Sequence, residues 1–199
     1  MSAGRRPCVI GVARRTIHPE DGDAPEPLDL WAEMARRAAA DSGGRDVLAA
    51  IDDVNVVYSM SWVYDDAPGR LAERLGLGPG GRRLSGMSGT SPQRMLDDAA
   101  ERILAGETDL ALVVGAEALA TKKRLKKAGV KPAWSHPPEG KRPMPFEDPF
   151  HPSEVAHRIF QAYLTFALFD VARRAHAGLS LPDNLRAIGE LFAPMSRVA

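Results

Sequence analysis

Apolar positions change period several times along the chain. Cys8-Val-Ile-Gly-Val12 is a short apolar run with no helical period, the pattern of a buried strand. A polar loop through Asp21-Gly-Asp-Ala-Pro25 follows. From Leu28 onward, Trp31, Met34, Ala35 and Ala38 share one helical face, with Pro27 near the first turn and Ser42-Gly43-Gly44 as the stop, so an amphipathic helix covering a sheet is predicted. β-branched residues between Ile51 and Tyr58 predict a second strand. Leu71 and Leu75, four apart, predict a short helix closed by Gly76.

The next stretch is richer in punctuation. Arg82 to Ser85 can form a short strand, Gly86-Met-Ser-Gly-Thr-Ser91 makes a Gly/Ser elbow, and Met95, Leu96, Ala99 and Ile103 recur at helical spacing. Ser91 as N-cap, Pro92 at the first helical position and Gly106 as the stop bound this helix. Asp109-Leu-Ala-Leu-Val-Val-Gly115 then reads as a strand buried on both faces, completing a βαβ crossover. Beyond Glu117 the pattern changes. Lys122, Lys123, Arg124, Lys126, Lys127 and Lys131 lead into a Pro-rich stretch, Pro132 to Pro152, without a period. A long helix capped by Ser153 is expected to about Ala177, with Val155, Ile159, Phe160, Tyr163 and Phe166 on its apolar side, and a further helix from Pro182 stops before Pro194.

Composition narrows the classes. The 199 residues carry 26 Lys+Arg against 26 Asp+Glu, so no net field points to nucleic acid or an anionic membrane. At 44% hydrophobic the chain can bury a core. No run approaches the roughly 18 apolar residues of a membrane span. Cys8 is the only cysteine, which excludes an internal disulfide framework and a Cys-rich zinc site and suits a reducing, cytoplasmic setting. Within an apolar strand that thiol is expected to be packed.

The segments Ser88-Gly-Thr-Ser-Pro-Gln-Arg-Met-Leu96 and Gly106-Glu-Thr-Asp-Leu-Ala-Leu-Val-Val-Gly-Ala-Glu117 resemble the nucleophile region of the thiolase superfamily: an elbow, a helix, then Gly-x-x-Asp and an apolar strand ending in a Glu. The likeness is closest to the sterol-carrier-type and actinobacterial thiolase-like proteins. It implies an α/β fold, a βαβαβ half with a mixed, mostly parallel sheet covered by helices over residues 1–119, and a mainly helical loop domain over 120–199. It implies an acetyl-CoA acyltransferase-like activity, with a coenzyme A thioester as substrate or ligand and no permanently bound cofactor or metal.

The same resemblance exposes a departure. With Asp109 and Glu117 as anchors, Gly89 stands where the family keeps its nucleophilic cysteine. Ser88 and Ser91 are neighbours, but a hydroxyl ionises far less readily than a thiol of pKa about 8.5, and without an adjacent base both read as cap and turn residues. The His and Cys-Gly-Gly motifs of the family's second half do not occur. The expectation is therefore an altered or absent thiolase activity, with proton or retro-aldol chemistry favoured if a second half supplies the base. The alternative is a non-catalytic acyl-CoA-binding or assembly subunit of a heteromeric thiolase-like lyase. A homodimer or heteromer pairing near Leu84 is implied.

Other features carry less. His151 falls near a loop-domain His that lines the family's acyl-CoA pocket, and Lys122, Lys123 and Arg124 can meet coenzyme A phosphates or simply solubilise a loop. Glu154 and His157 form a single E-x-x-H, read as a capped helix start rather than a metal site. Gly76-Leu-Gly-Pro-Gly-Gly81 is a turn, and the stripe Phe160, Tyr163, Phe166 and Phe169 is either core or acyl-pocket wall.

Overall fold

Strand β1 (Asp53–Val56) organises the chain because its alternating side chains face different surroundings. Val54 and Val56 point into an apolar cluster with Leu28, Trp31, Ala35, Leu71, Leu112 and Val114, whereas Asp53 and Asn55, equally buried, face polar partners. In the computed structural model, residues 5–140, 151–159 and 161–198 are described. Their contacts separate into two units, Met1–Glu147 and Asp148–Ala199. This division falls later than the composition change at 119/120. Helix α4 (Leu119–Lys127) belongs with the first unit, tied to it through Thr121, whose hydroxyl accepts from Ala24 N at 3.0 Å.

In the first unit, β1 pairs in parallel with β2 (Gly81–Leu84) on one side and β3 (Ala111–Val114) on the other. The order is β2-β1-β3. Helix α2 (Ala67–Leu75) connects β1 to β2, and α3 (Ser91–Ala105) connects β2 to β3 across the sheet. The two crossovers run in opposite directions, and a right-handed crossover then requires their helices on opposite faces. Helix α1 (Pro27–Asp41) joins α2 on the Val54 face. The predicted βαβαβ pattern is present, and the described sheet is wholly parallel.

On the other face a charged network holds α3. Arg102 donates to the Asp53 carboxylate from Nε at 3.1 Å and from a terminal nitrogen at 2.8 Å, and the same nitrogen reaches Asn55 Oδ1 at 2.9 Å. Arg83 of β2 closes on the other Asp53 oxygen. A buried carboxylate is tolerable only when so paired.

Several local expectations are corrected. The run Cys8–Val12 forms no strand: it lies beside the sheet without a ladder, with Val9 74% and Val12 67% exposed. An apolar run reports strand propensity, but a strand needs a hydrogen-bonding neighbour. Cys8 is accordingly exposed, not packed. β3 is buried at alternate residues only. Helix α3 starts one residue earlier than expected, with Thr90 as N-cap and Ser91 inside the first turn.

The second unit differs more. The single long helix is two, α5 (Pro152–Ala156) and α6 (Ala162–His176), and His151, not Ser153, is the N-cap. Glu154 closes the capping box, accepting from His151 N at 2.6 Å, so the E-x-x-H serves helix initiation. Helix α7 (Leu181–Val198) runs through Pro194, where the proline costs one backbone hydrogen bond. Tyr163, Phe166 and Phe169 are 62–69% exposed, so within this unit they form no core. Phe160 lies outside the described residues. The hairpin is instead joined by polar groups: Asn184, fully buried, donates to Asp170 at 2.8 Å and accepts from Arg173.

Removing one partner of the buried pair leaves the other charge uncompensated, so Arg102→Ala is expected to destabilise the first unit by about 3–5 kcal/mol. Urea denaturation of Arg102→Ala, Asp53→Ala and the double variant measures this, with the double variant less destabilised than the sum of the singles.

A pH effect follows from Asp52, at the opposite end of the sheet from the elbow. Partial burial raises its carboxyl pKa, but donation from Thr108 Oγ1, Asp109 N and Leu110 N outweighs this, and the net shift is downward. A depressed folded-state pKa gives stability that is present above the unfolded value of about 3.9 and lost as pH falls through the folded one. Asp52→Asn should flatten that acid limb in denaturation midpoints measured from pH 6 to 2.

Candidate functional site

Three loops leave the carboxyl ends of the parallel strands, and they are bonded to each other. After β2, the elbow Ser85 to Thr90 leads into α3; after β1, Val57 to Ser61 leads toward α2; after β3, Gly115 to Ala118 leads into α4. Because α2 and α3 lie on opposite faces, the first two loops diverge, which is where parallel α/β sheets open a ligand crevice. Tyr58 N donates to Ser85 Oγ at 2.9 Å, joining them.

Glu117 fastens the β1 loop. Its carboxylate accepts from Met60 N at 2.7 Å, Ser61 N at 2.9 Å and Ser59 Oγ at 3.2 Å, and also from the Ser61 hydroxyl. Ser61 Oγ in turn accepts from Ala118 N at 2.6 Å. Lys122 Nζ reaches Met60 O at 2.9 Å. Farther along this loop Trp62 donates to Ser135 O at 2.8 Å and stacks edge-on against Trp134 at 5.6 Å, while Glu26 accepts from Ser135 N at 2.7 Å. Sequence reasoning used Glu117 only as an anchor and missed this cluster. Its signal is a Ser-x-Ser after one strand and a Glu after another, 56 residues apart, which has no local signature.

At the elbow, Gly89 faces open space: a Cβ built there meets nothing within 4 Å. Ser88 Oγ lies 3.0 Å from Thr90 Oγ1 and accepts from Thr90 N at 3.3 Å. Ser91 is buried, and its hydroxyl donates to Gly86 O at 2.9 Å. Both serines are thus engaged in shaping the turn, and among the described residues neither hydroxyl meets an imidazole or a carboxylate.

The remaining predicted residues divide. Lys122, Lys123 and Arg124 sit on α4, in the same unit and following the same strand edge. Lys122 is occupied by Met60, Arg124 pairs with Asp23, and Lys123 is exposed. His151 belongs to the second unit, where its ring nitrogen accepts from Ser153 N at 3.3 Å. Among the described residues no group of His, Cys, Asp and Glu could hold a metal ion, and no helix is long and apolar enough to cross a membrane.

Among solved structures, a monomeric SCP2-thiolase like protein type 1 from Mycobacterium smegmatis matches 100% of this chain at 27% identity with a TM-score of 0.65. The fold is thiolase-like. This chain covers 36% of that protein, so it spans about a third of the length of the thiolase-like structure it matches. Two structures of Xanthomonas campestris OleA, one with bound lauric acid and lauroyl-CoA, match 64% of the chain at 21% identity, with TM-scores of 0.45 and 0.44, and are covered to 37% and 38%. No protein-family model matches the chain, and neither does any curated protein. The elbow, α3 and β3 that suggested the resemblance form the crossover from β2 to β3, the two outer strands of the described sheet.

Truncating Glu117 should release the β1 loop. In Glu117→Ala, the Met60 and Ser61 amides are expected to exchange with solvent about tenfold faster, the effect of losing about 1.4 kcal/mol of local hydrogen bonding. Hydrogen exchange read by NMR checks this, with Val54 and Val56 as the unaffected reference.

Proposed function

We propose that this chain is an acyltransferase-like protein of thiolase type that binds a coenzyme A thioester at the carboxyl edge of its sheet, and that it does not itself carry the acyl group. The observation behind this reading is Gly89, at the amino end of a 15-residue helix on a thiolase-like fold. Acyl transfer of the thiolase kind needs a thiolate there to attack the thioester carbonyl and expel coenzyme A. A helix amino terminus favours that thiolate by about 0.3–1 kcal/mol. Glycine offers no nucleophile, and Ser88 and Ser91 are bonded within the turn.

What remains is a site suited to holding an anion-bearing thioester. The α3 amino terminus presents backbone N–H groups, and Lys123 and Arg124, the latter paired with Asp23, stand on α4, which follows β3. A role for His151 in lining the acyl pocket, a cytoplasmic setting and pairing near Leu84 belong to the same reading. Leu84 is 43% exposed at the end of β2, on an outer edge of the described sheet. Where proton or retro-aldol chemistry on the bound acyl group occurs, its base comes from outside this chain. If calorimetry finds acyl-CoA binding but no turnover follows, the chain acts as a binding or assembly subunit.

Two measurements test the reading. Calorimetry with coenzyme A and with lauroyl-CoA should show binding, and mass spectrometry after incubation should show no covalent adduct; an acyl adduct on any residue of the native chain would overturn the claim. Gly89→Cys fits the open position and should gain an acyl adduct at residue 89, with a thiol pKa below the usual value of about 8.5. A variant that binds lauroyl-CoA yet is never acylated would remove Gly89 from the nucleophile position.

A further inference from the structure

The zero net charge conceals a segregation. All six lysines lie between Lys122 and Lys141, and the other 20 basic residues are arginines. From Ala118 to Pro138 there are six basic residues and no acidic one, so the rest of the chain carries 20 basic against 26 acidic residues. A cluster of this kind sets up a local positive field that the total does not show.

The two cations are used differently. Every ion pair among the described residues is made by an arginine. Arg102 and Arg83 hold Asp53, and Arg70 holds Asp65. Within the basic segment the single arginine, Arg124, pairs with Asp23. Lys122 donates to Met60 O at 2.9 Å. Lys123, Lys126, Lys127 and Lys131 are exposed, and among the described residues they meet no carboxylate.

Helix α4 sorts these groups by face. Thr121 is buried, with its hydroxyl on Ala24 N, and Leu125 is half-buried, so both mark the side that packs on the first unit. Leu119, Lys122, Lys123, Lys126 and Lys127 recur at i, i+3, i+4, i+7 and i+8, the spacing of a single helical stripe, on the other side. Beyond Gly129 the chain adds Val130 and Lys131. Leu119 is 47% and Val130 51% exposed, which puts an apolar side chain at each end of the row of charges.

The choice of lysine indicates what meets this face. A carboxylate or phosphate in a fixed place is matched by the planar fork of arginine, whereas lysine is a hydrated point charge on a flexible stem, suited to anions without a fixed position. The α4 dipole favours cations in its last turn, which accounts for Lys126 and Lys127 but not for Lys123 or Lys131. A bilayer containing anionic lipids is complementary in charge, its headgroups move laterally, and its acyl boundary accepts exposed leucine and valine while lysine heads stay at headgroup level. Nucleic-acid phosphates supply the charge but no apolar layer for Leu119 and Val130.

We infer that the outward face of α4, with Leu119, Lys123, Lys126 and Lys127, and with Val130 and Lys131 beyond it, docks on an anionic lipid surface. The contact is peripheral and electrostatic. It is independent of thioester binding, which concerns the carboxyl edge of the sheet.

The test is sedimentation of the 199-residue chain with vesicles of phosphatidylcholine, alone or mixed with phosphatidylglycerol. The mixed vesicles should bind at least about tenfold more tightly, and about 0.5 M salt should release the chain. The triple variant K123Q, K126Q, K127Q should bind about a hundredfold more weakly, at about fivefold per lysine. The charge-retaining triple K123R, K126R, K127R should bind as the native chain does. Hydrogen exchange read by mass spectrometry should slow over residues 119–131 on the mixed vesicles and stay unchanged in β1. Equal binding to phosphatidylcholine alone would assign the contact to the apolar faces of α6 and α7 and overturn the inference. So would full binding by the glutamine triple. Release by coenzyme A at constant ionic strength would make the lysines contacts for its phosphates, and tighter binding to duplex DNA than to the mixed vesicles would make the face a nucleic-acid site; either result sinks the lipid assignment. Calorimetry with lauroyl-CoA on the glutamine triple keeps this reading separate from thioester binding.

Discussion

The carboxylate of Asp53 is 1% exposed in the middle of the sheet, and its neutralisation constrains most of what surrounds it. A charge so placed is stable only with close, well-directed partners. Arg102, in the last turn of α3, supplies two hydrogen bonds, and Arg83 of β2 supplies another. Asn55 completes the network by bonding Asp53 and the same guanidinium. Fixing the far end of α3 in this way sets the direction of the whole helix. Its amino terminus, with the elbow and Gly89, is then delivered to the opposite end of the sheet.

That opposite end is where loops of different origin meet. Each is short, and each is held by a hydrogen bond to its neighbour: Ser85 to Tyr58, Glu117 to Ser59, Met60 and Ser61, and Ser61 to Ala118. The arrangement is rigid without using the elbow residues that a nucleophile would need. Ser88 and Ser91 hold the turn, and the space above Gly89 stays open.

The unpaired flank of the sheet has a different character. Gly11 allows the first segment to lie against α1 at a separation no side chain would permit, and the ion pairs of Arg5 and Arg15 hold it there. Its apolar residues have strand character and no strand partner among the described residues. The same tension runs through the second unit, where aromatic residues of α6 stand in solvent while Asp170, Arg173 and Asn184 bind α6 to α7. Apolar surface of this extent marks an interaction or ligand-binding face.

Local pattern was enough to determine α1, α2, α3 and the three strands that pair, because each has a period, a start residue and a stop. The elbow and the glycine within it were equally legible, since the anchors Asp109 and Glu117 are close in sequence. The break between α5 and α6, the helical passage through Pro194 and the cap at His151 were not, because there apolar periodicity continues across a change in backbone that local propensity does not register. Only the tertiary structure decided that Cys8–Val12 is not a strand, that Asp53 is a buried ion and that Glu117 fastens Ser59 to Ser61. Each depends on residues 29 to 58 positions away or on a pairing strand that is not found among the described residues, and backbone pairing and charge compensation are properties of what stands opposite, which no run of adjacent residues contains.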